Sequence, residues 1–333
     1  MRKGVTVLEL LIVAFLTLIT LAAVYSAYSV LFKSYKKEET TSVTAMESAI
    51  GLEILRQDVE HAGYGIGKGE TKLPVEVFRT PDGFLHLVIR STYKTSDDDT
   101  QGWAILTCPS AGDVPHCLSY YNFPYCPKER TKTEAIVMKP DGDLFLPKGK
   151  DYFTVDDKGD TCPSAESVLL AFPISGSGVW KKWDGSTEPS CANQFCNVIE
   201  YYLEDDSDAL SEYCQGTYIL KRKVDLREEP FVECVGDFKV LYNWNGSLCD
   251  PEKSSSPCYS PKLNSKTLRE NLKMVYIYLL IREGKKDPKF KFKYSGGVPV
   301  DGIKLHLPSS DPDAVHYRWR VVKLAVTPMN LKR

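Results

Sequence analysis

The hydrophobic pattern begins with one long uninterrupted run. From Val5 to Phe32 the only side chain charged at neutral pH is Glu9. A helix of that length spans about 42 Å at about 1.5 Å per residue, more than the ~30 Å hydrocarbon core of a bilayer. The helical signal then continues from Lys33 to Ala62 without proline and with Gly51 as its only interior glycine. Val43, Met46, Ile50 and Ile54 form one apolar stripe, and Leu52, Leu55, Val59 and Ala62 form another. The 3.6-residue period sets the two stripes roughly 140° apart. Two stripes predict two packing surfaces: either both pack on one head, or one packs on neighbouring chains. Gly63, Gly65, Gly67 and Gly69 follow and predict the helix stop. Continuous from Thr6 to Ala62, the helix would be about 85 Å long.

Past Gly69 the period changes from helical to strand-like. PVEVFR, GFLHLVIR, SVLLAFPI, NVIEYYLED, TYILKRKV, GDFKVLYNW, KMVYIYLLIRE, GIKLHLP and HYRWRVVKLAV are rich in β-branched and aromatic residues. Tyr218, Leu220, Arg222 and Val224 on one side against Ile219, Lys221 and Lys223 on the other read as a sheet with one solvated face. No helices of 10–15 residues recur between these runs, which argues against a parallel βαβ sheet. The stretches 93–134 and 244–267 read as long loops rich in Pro, Ser, Asp and Cys. The predicted fold class is α+β: a long N-terminal helix packed on an antiparallel sheet with long loops braced by disulfides.

Composition sharpens this division. All 20 prolines lie from Pro74 onward and all ten cysteines from Cys108 onward. The cysteines are Cys108, Cys117, Cys126, Cys162, Cys191, Cys196, Cys214, Cys234, Cys249 and Cys258. No CxxC occurs, which weakens a zinc knuckle or a thioredoxin-type motif. An even count beyond a membrane segment fits up to five disulfides in an oxidising compartment. Sequence leaves the pairing open; Cys191–Cys196 and Cys249–Cys258 are local possibilities. The net charge of -2 argues against broad nucleic-acid binding.

The N-terminal run admits three readings. A secretory signal peptide has an apolar stretch of about 7–15 residues, shorter than this one. A plain transmembrane anchor fits the length. The third reading rests on order: Arg2 and Lys3, then Gly4, an apolar residue, and Glu9 five positions after the glycine. KGVTVLELLIVAF resembles the leader of type IV pilins and type II secretion pseudopilins. That resemblance implies cleavage between Gly4 and Val5 by a prepilin peptidase, N-methylation of Val5, and Glu9 as the fifth mature residue. The family usually places Phe after the cut; this chain has Val5. A carboxylate within an apolar helix costs free energy. A new α-amine at Val5 on a neighbouring helix would compensate Glu9 and set axial register during assembly. The implied segments are a leader at 1–4, a membrane and filament-core helix at 5–32, its amphipathic continuation at 33–63, and an extracytoplasmic β-rich domain at 64–333.

LEILRQDVEHAGYG (52–65), the strand pair around Val198–Val224, FVECVGDFKVLYNW (231–244), LKMVYIYLLIRE (272–283) and HYRWRVVKLAVTPMNL (316–331) together resemble PilW-type minor pilins and the related J pseudopilins. The helix-end pattern at Arg56, Asp58 and Ala62-Gly63-Tyr64 is the most specific piece outside the leader. The resemblance implies a minor subunit near a filament tip that helps initiate or cap assembly. Its implied partners are other minor pilins, the major pilin, the prepilin peptidase and the inner-membrane assembly platform. The chain would sit in the inner membrane as a single-pass protein and then in an extracellular pilus serving adhesion, twitching motility or DNA uptake. Alternatives are a type II secretion minor pseudopilin and a membrane-tethered binding or adhesin domain.

Nothing positive points to catalysis, and the expectation is that the chain is not an enzyme. His61, His86, His116, His306 and His316 form no HExxH, and Ile174–Gly178 lacks GxSxG spacing. Asp97-Asp98-Asp99 and Glu204-Asp205-Asp206-Ser207-Asp208 could hold Ca²⁺, but neither fits an EF-hand loop. Solvated turns are the simpler reading, and no cofactor is expected.

Overall fold

The computed structural model describes residues 7–69, 72–94, 98–126, 132–174, 191, 195–206, 210–224, 227–309 and 311–331. Helix α1 runs unbroken over Val7–Glu60, 54 residues or about 81 Å. A turn at His61–Gly65 then ends it, with Gly63 and Gly65 at φ of 78° and 67°. These left-handed values suit glycine because a Cβ would clash with the backbone.

The strands follow in chain order: β1 (Val75–Arg79), β2 (Leu85–Ser91), β3 (Trp103–Cys108), β4 (His116–Tyr121), β5 (Thr133–Met138), β6 (Phe153–Val155), β7 (Glu166–Pro173), β8 (Asn197–Glu204), β9 (Tyr218–Val224), β10 (Arg227–Trp244) and β11 (Ser247–Cys249). A short helix α2 (Ser265–Asn271) precedes β12 (Leu272–Glu283), β13 (Val298–Val300), β14 (Ile303–Leu305) and β15 (Arg318–Val326). The principal sheet has the order β1-β2-β8-β9-β10-β12-β15, with β11 folded back on β10. Every pairing in it is antiparallel. The molecule is therefore mostly sheet, joined to one long helix.

One face of this sheet takes the end of α1. Leu55, Val59 and Ala62 are fully buried among Val75, Leu87, Ile199, Leu220, Val240 and Ile277. Their spacing is the second stripe of the sequence pattern. Ile50, from the first stripe, stays 58% exposed. Gly51 passes the sheet so closely that a Cβ there would lie 3.0 Å from Val232 Cγ2 and 3.2 Å from the Phe231 carbonyl oxygen. Strand β10 is irregular at this place, with register shifts between Pro230 and Val235 and Cys234 at a φ of 59°.

The expectation of long loops at 93–134 and 244–267 needs correction. The first region contributes β3, β4 and the start of β5 to a second antiparallel sheet, ordered β4-β3-β7-β5-β6. Its core is separate: Ala104, Leu106, Phe123, Phe153, Leu169 and Ala171 pack together. The missed signal is the alternation in Trp103–Cys108, where Ala104, Leu106 and Cys108 are buried and the residues between them are half-buried. Turn-forming residues around it drew attention away from a strand only six residues long. The second region holds β11 and the start of α2. Asn264 caps α2, accepting a 2.8 Å hydrogen bond from the Thr267 amide. Tyr64 joins the two sheets: its hydroxyl donates to the Gly102 carbonyl at 2.7 Å, and its ring meets Phe172 edge-on at 4.6 Å.

Candidate functional site

Two regions of α1 behave in opposite ways, and their contrast defines the site. Along the first, Leu10–Ser29 form a 20-residue apolar stretch in which no residue is buried. Leu11, Phe15, Leu18 and Leu21 are all more than half exposed. That stretch is long and apolar enough to cross a membrane, as an anchor or a signal sequence would. Thr17, Thr20 and Ser29 do not interrupt it, because each hydroxyl donates back to carbonyls three and four residues earlier. Glu9 lies in the first turns of α1, but its side chain falls outside the described ones. Gly4 and Val5 lie outside the described residues altogether.

The second region is the locked end of α1. Asp58 sits on the same face as Leu55, Val59 and Ala62 and is 1% exposed. Its Oδ2 accepts from the Tyr201 hydroxyl at 2.5 Å and from Arg222 Nε at 2.8 Å. Arg222 Nε also reaches the Tyr201 oxygen at 3.1 Å, closing a triangle between α1, β8 and β9. Burial works to lower the Arg222 pKa, but the Asp58 carboxylate outweighs it and holds the guanidinium charged. Burial, and then the Asp58 charge, push the Tyr201 phenol far above its ordinary value. The group is therefore one carboxylate, one guanidinium and one neutral phenol, cut off from water. It has the hydrogen bonds to hold a helix in place.

The turn after α1 is tied down as firmly. The Gly63 amide donates to the Arg90 carbonyl at 2.9 Å, and the Thr92 amide donates to the Tyr64 carbonyl at 2.8 Å. Arg269 on α2 donates to the carbonyls of Ile66 at 2.7 Å and Asn330 at 3.1 Å. Burial lowers its pKa to about 10, because neutral carbonyls replace a carboxylate partner. Sequence singled out Asp58 through the helix-end pattern but missed Tyr201 and Arg222 as its partners and Arg269 as the clasp on the following turn. The available clue was an acid three residues from Leu55 on an otherwise apolar helical face.

All ten candidate cysteines are brought together in pairs: Cys108–Cys162, Cys117–Cys126, Cys191–Cys196, Cys214–Cys234 and Cys249–Cys258. Two of these brace the second sheet. Cys214–Cys234 holds the irregular part of β10, and Cys249–Cys258 closes the loop after β11. The acidic runs behave as surface groups: Lys221 Nζ lies 2.9 Å from Glu204 and 3.3 Å from Asp206. Asp98 opens a short 3₁₀ turn; Asp97, Ser207 and Asp208 lie outside the described residues. Among the described residues, no three His, Cys, Asp or Glu side chains gather as a metal would need. The described histidines are placed singly: His61 stacks on Tyr93 at 3.7 Å, and His86 Nδ1 lies 2.6 Å from Glu200.

Comparison with known proteins returns no match among family models, curated proteins or solved structures. The geometry of the chain itself therefore carries the functional argument.

Proposed function

We propose that the chain is a minor type IV pilin, a structural subunit that helps initiate or cap a filament near its tip. One observation carries this reading: a single continuous helix is wholly exposed and apolar along Leu10–Ser29 and rigidly locked to a sheet head at Leu55–Ala62. An apolar rod without burial in its own chain requires lipid or other apolar helices around it. A locked head transmits the position of that rod to everything the head touches. In this reading, prepilin peptidase cuts between Gly4 and Val5, the inner membrane holds the subunit first, and other minor pilins and the major pilin pack on the rod afterwards. Glu9 then meets the α-amine of a neighbouring helix. The role is structural rather than catalytic.

Intact mass and N-terminal sequencing of the membrane-purified protein test the reading. A chain starting at Val5 with one added methyl group supports it. An untouched Met1, in cells with active prepilin peptidase, refutes processing. Glu9→Ala should insert into the membrane normally yet be missing from sheared filaments; normal incorporation would count against the register role.

The adhesin variant of this reading has its own support. Strand β4 is an edge of the second sheet and exposes Leu118, Tyr120 and Tyr121, the last by 63%. Exposed aromatics on a disulfide-braced edge suit contact with a surface or partner.

A further inference from the structure

The whole-chain charge of -2 conceals a strong local imbalance. Between Gly284 and Lys323 there are nine lysines and arginines against four aspartates, a local balance of +5. The densest part is Lys285, Lys286, Lys289, Lys291 and Lys293, with Asp287 as the only acid among them. All five lysines are exposed. Lys286 pairs with Asp313 at 2.5 Å. Among the described residues, Lys285, Lys289, Lys291 and Lys293 have no carboxylate within 4.0 Å.

This segment is held in place by its backbone. The Asp287 amide donates to the His316 carbonyl at 3.0 Å, the Phe292 amide to the Val315 carbonyl at 2.7 Å, and His316 Nδ1 lies 2.8 Å from the Phe290 carbonyl oxygen. Phe290 and Phe292 alternate with the lysines and are half-buried; Arg318 sits over the Phe290 ring at 5.6 Å. Tyr294 closes the run with a 39% exposed ring. Ordered like charges with no internal counter-charge repel one another and gain free energy from an external polyanion. Alternating cations beside a partly exposed aromatic ring, with Lys293 Nζ over it at 5.4 Å, match a phosphate backbone with a base edge or face at hand.

We infer that this face, Lys285–Tyr294 with Arg318, is a binding surface for a nucleic acid strand, recognised through its phosphates without sequence readout. Lipid phosphates are the poorer occupant. If α1 crosses a bilayer, its apolar stretch ends at Ser29, and Leu55, which is fully buried in the head, lies about 39 Å further along the helix. That exceeds the Debye length of about 8 Å several times over. The inference does not depend on a filament.

The test uses the full chain in neutral-lipid nanodiscs and fluorescence anisotropy with a labelled single-stranded oligonucleotide and its duplex. Binding should weaken as salt rises. The triple variant K289Q/K291Q/K293Q should bind at least about tenfold more weakly and lose roughly 2.7 from the log–log salt slope on duplex, about 0.9 per phosphate contact. The charge-keeping triple Lys→Arg variant should bind like wild type, and Tyr294→Ala should weaken the single strand more than the duplex. Equal melting temperatures for the variants show that folding is not the cause. Three results overturn the proposal: no binding at low salt, equal binding by the triple Gln variant, or displacement by poly-glutamate as effective as by the unlabelled strand. Patch-dependent flotation with phosphatidylglycerol vesicles but no nucleic acid binding would also overturn it, in favour of lipid.

Discussion

Replacing Asp58 by Ala probes the junction on which the functional proposal turns. The change removes the carboxylate that the buried Arg222 Nε and the Tyr201 hydroxyl both donate to. Breaking a buried pair from one side costs about 3–5 kcal/mol. For a head of this size each kcal/mol moves Tm by about 2–4 °C, so the loss should be roughly 6–20 °C. Tyr201→Phe removes only a hydrogen bond and should cost about 1–3 kcal/mol. The double variant D58L/R222M replaces both charges with apolar groups and should recover most of the loss, since the cost of Asp58→Ala lies in a buried cation that has lost the Asp58 carboxylate. The assay is thermal unfolding of the full chain in detergent, followed by near-ultraviolet circular dichroism. An Asp58→Ala loss below about 1 kcal/mol, as for an exposed pair, would refute the claim that this triangle is dry. Arg56, which bridges Glu53 and Glu60 on the exposed side of the same helix, is the internal control, and Arg56→Ala should leave Tm nearly unchanged.

Three further outcomes follow from the same structure. The Cys108–Cys162 bridge spans 54 residues and Cys191–Cys196 spans 5, so the chain-entropy relation assigns them about 4 and about 2 kcal/mol; urea unfolding of the paired Ser variants should keep that order, and the reverse order would refute the entropic account. Gly65→Ala forces a side chain into φ of 67° and against Thr92, and should lower stability by about 1–3 kcal/mol in the same assay, whereas Gly83→Ala, equally left-handed but in open space, should cost less. Burial, then the bond to Asp157, push the Tyr125 pKa up to about 12. The unfolded phenol ionises first, near pH 10, so stability present below that pH is lost as pH rises toward about 12; Tyr125→Phe should flatten this part of the pH–stability curve, and an unchanged curve would contradict the assignment.

Much of the fold was legible because the hydrophobic pattern switches period. The stop at Gly63 and Gly65 and the buried stripe Leu55, Val59, Ala62 follow from the helical period alone. The long strands announce themselves through β-branched and aromatic density, as in Lys273–Glu283. Of the second sheet, β7 was read as SVLLAFPI, but its other strands were not, for two physical reasons. Its strands are short, between three and eight residues, and their inward residues include Ala104, Ala135 and Ala171, which carry little strand signal. Its organisation is also non-local: β3 pairs with β7, some sixty residues later, with a disulfide from Cys108 to Cys162 closing the same span. The Asp58 triangle was half visible. An acid on an apolar face signals a buried partner, but which cation supplies it depends on the register of β8 against β9, Tyr201 opposite Arg222.

The two ends of α1 set opposite demands on one element. Water penalises exposed apolar surface by roughly 25 cal/mol per Å², so the Leu10–Ser29 surface strongly favours any apolar cover. The head supplies no such cover to this stretch, of which no part is buried. A flexible joint would let the rod find cover independently of the head. The Asp58 triangle, the Gly63–Arg90 hydrogen bond and the Arg269 clasp remove that freedom. Whatever covers the rod must therefore fix the orientation of the head. Lipid alone imposes only insertion depth and tilt, whereas packed helices also impose rotation about the axis. Loosening the lock with Asp58→Ala in membranes should then leave insertion intact but scramble any defined neighbour contact. Cysteine-free crosslinking from β4 to co-purified subunits should show the difference, and unchanged crosslinks in the loosened variant would mean that head orientation is set elsewhere.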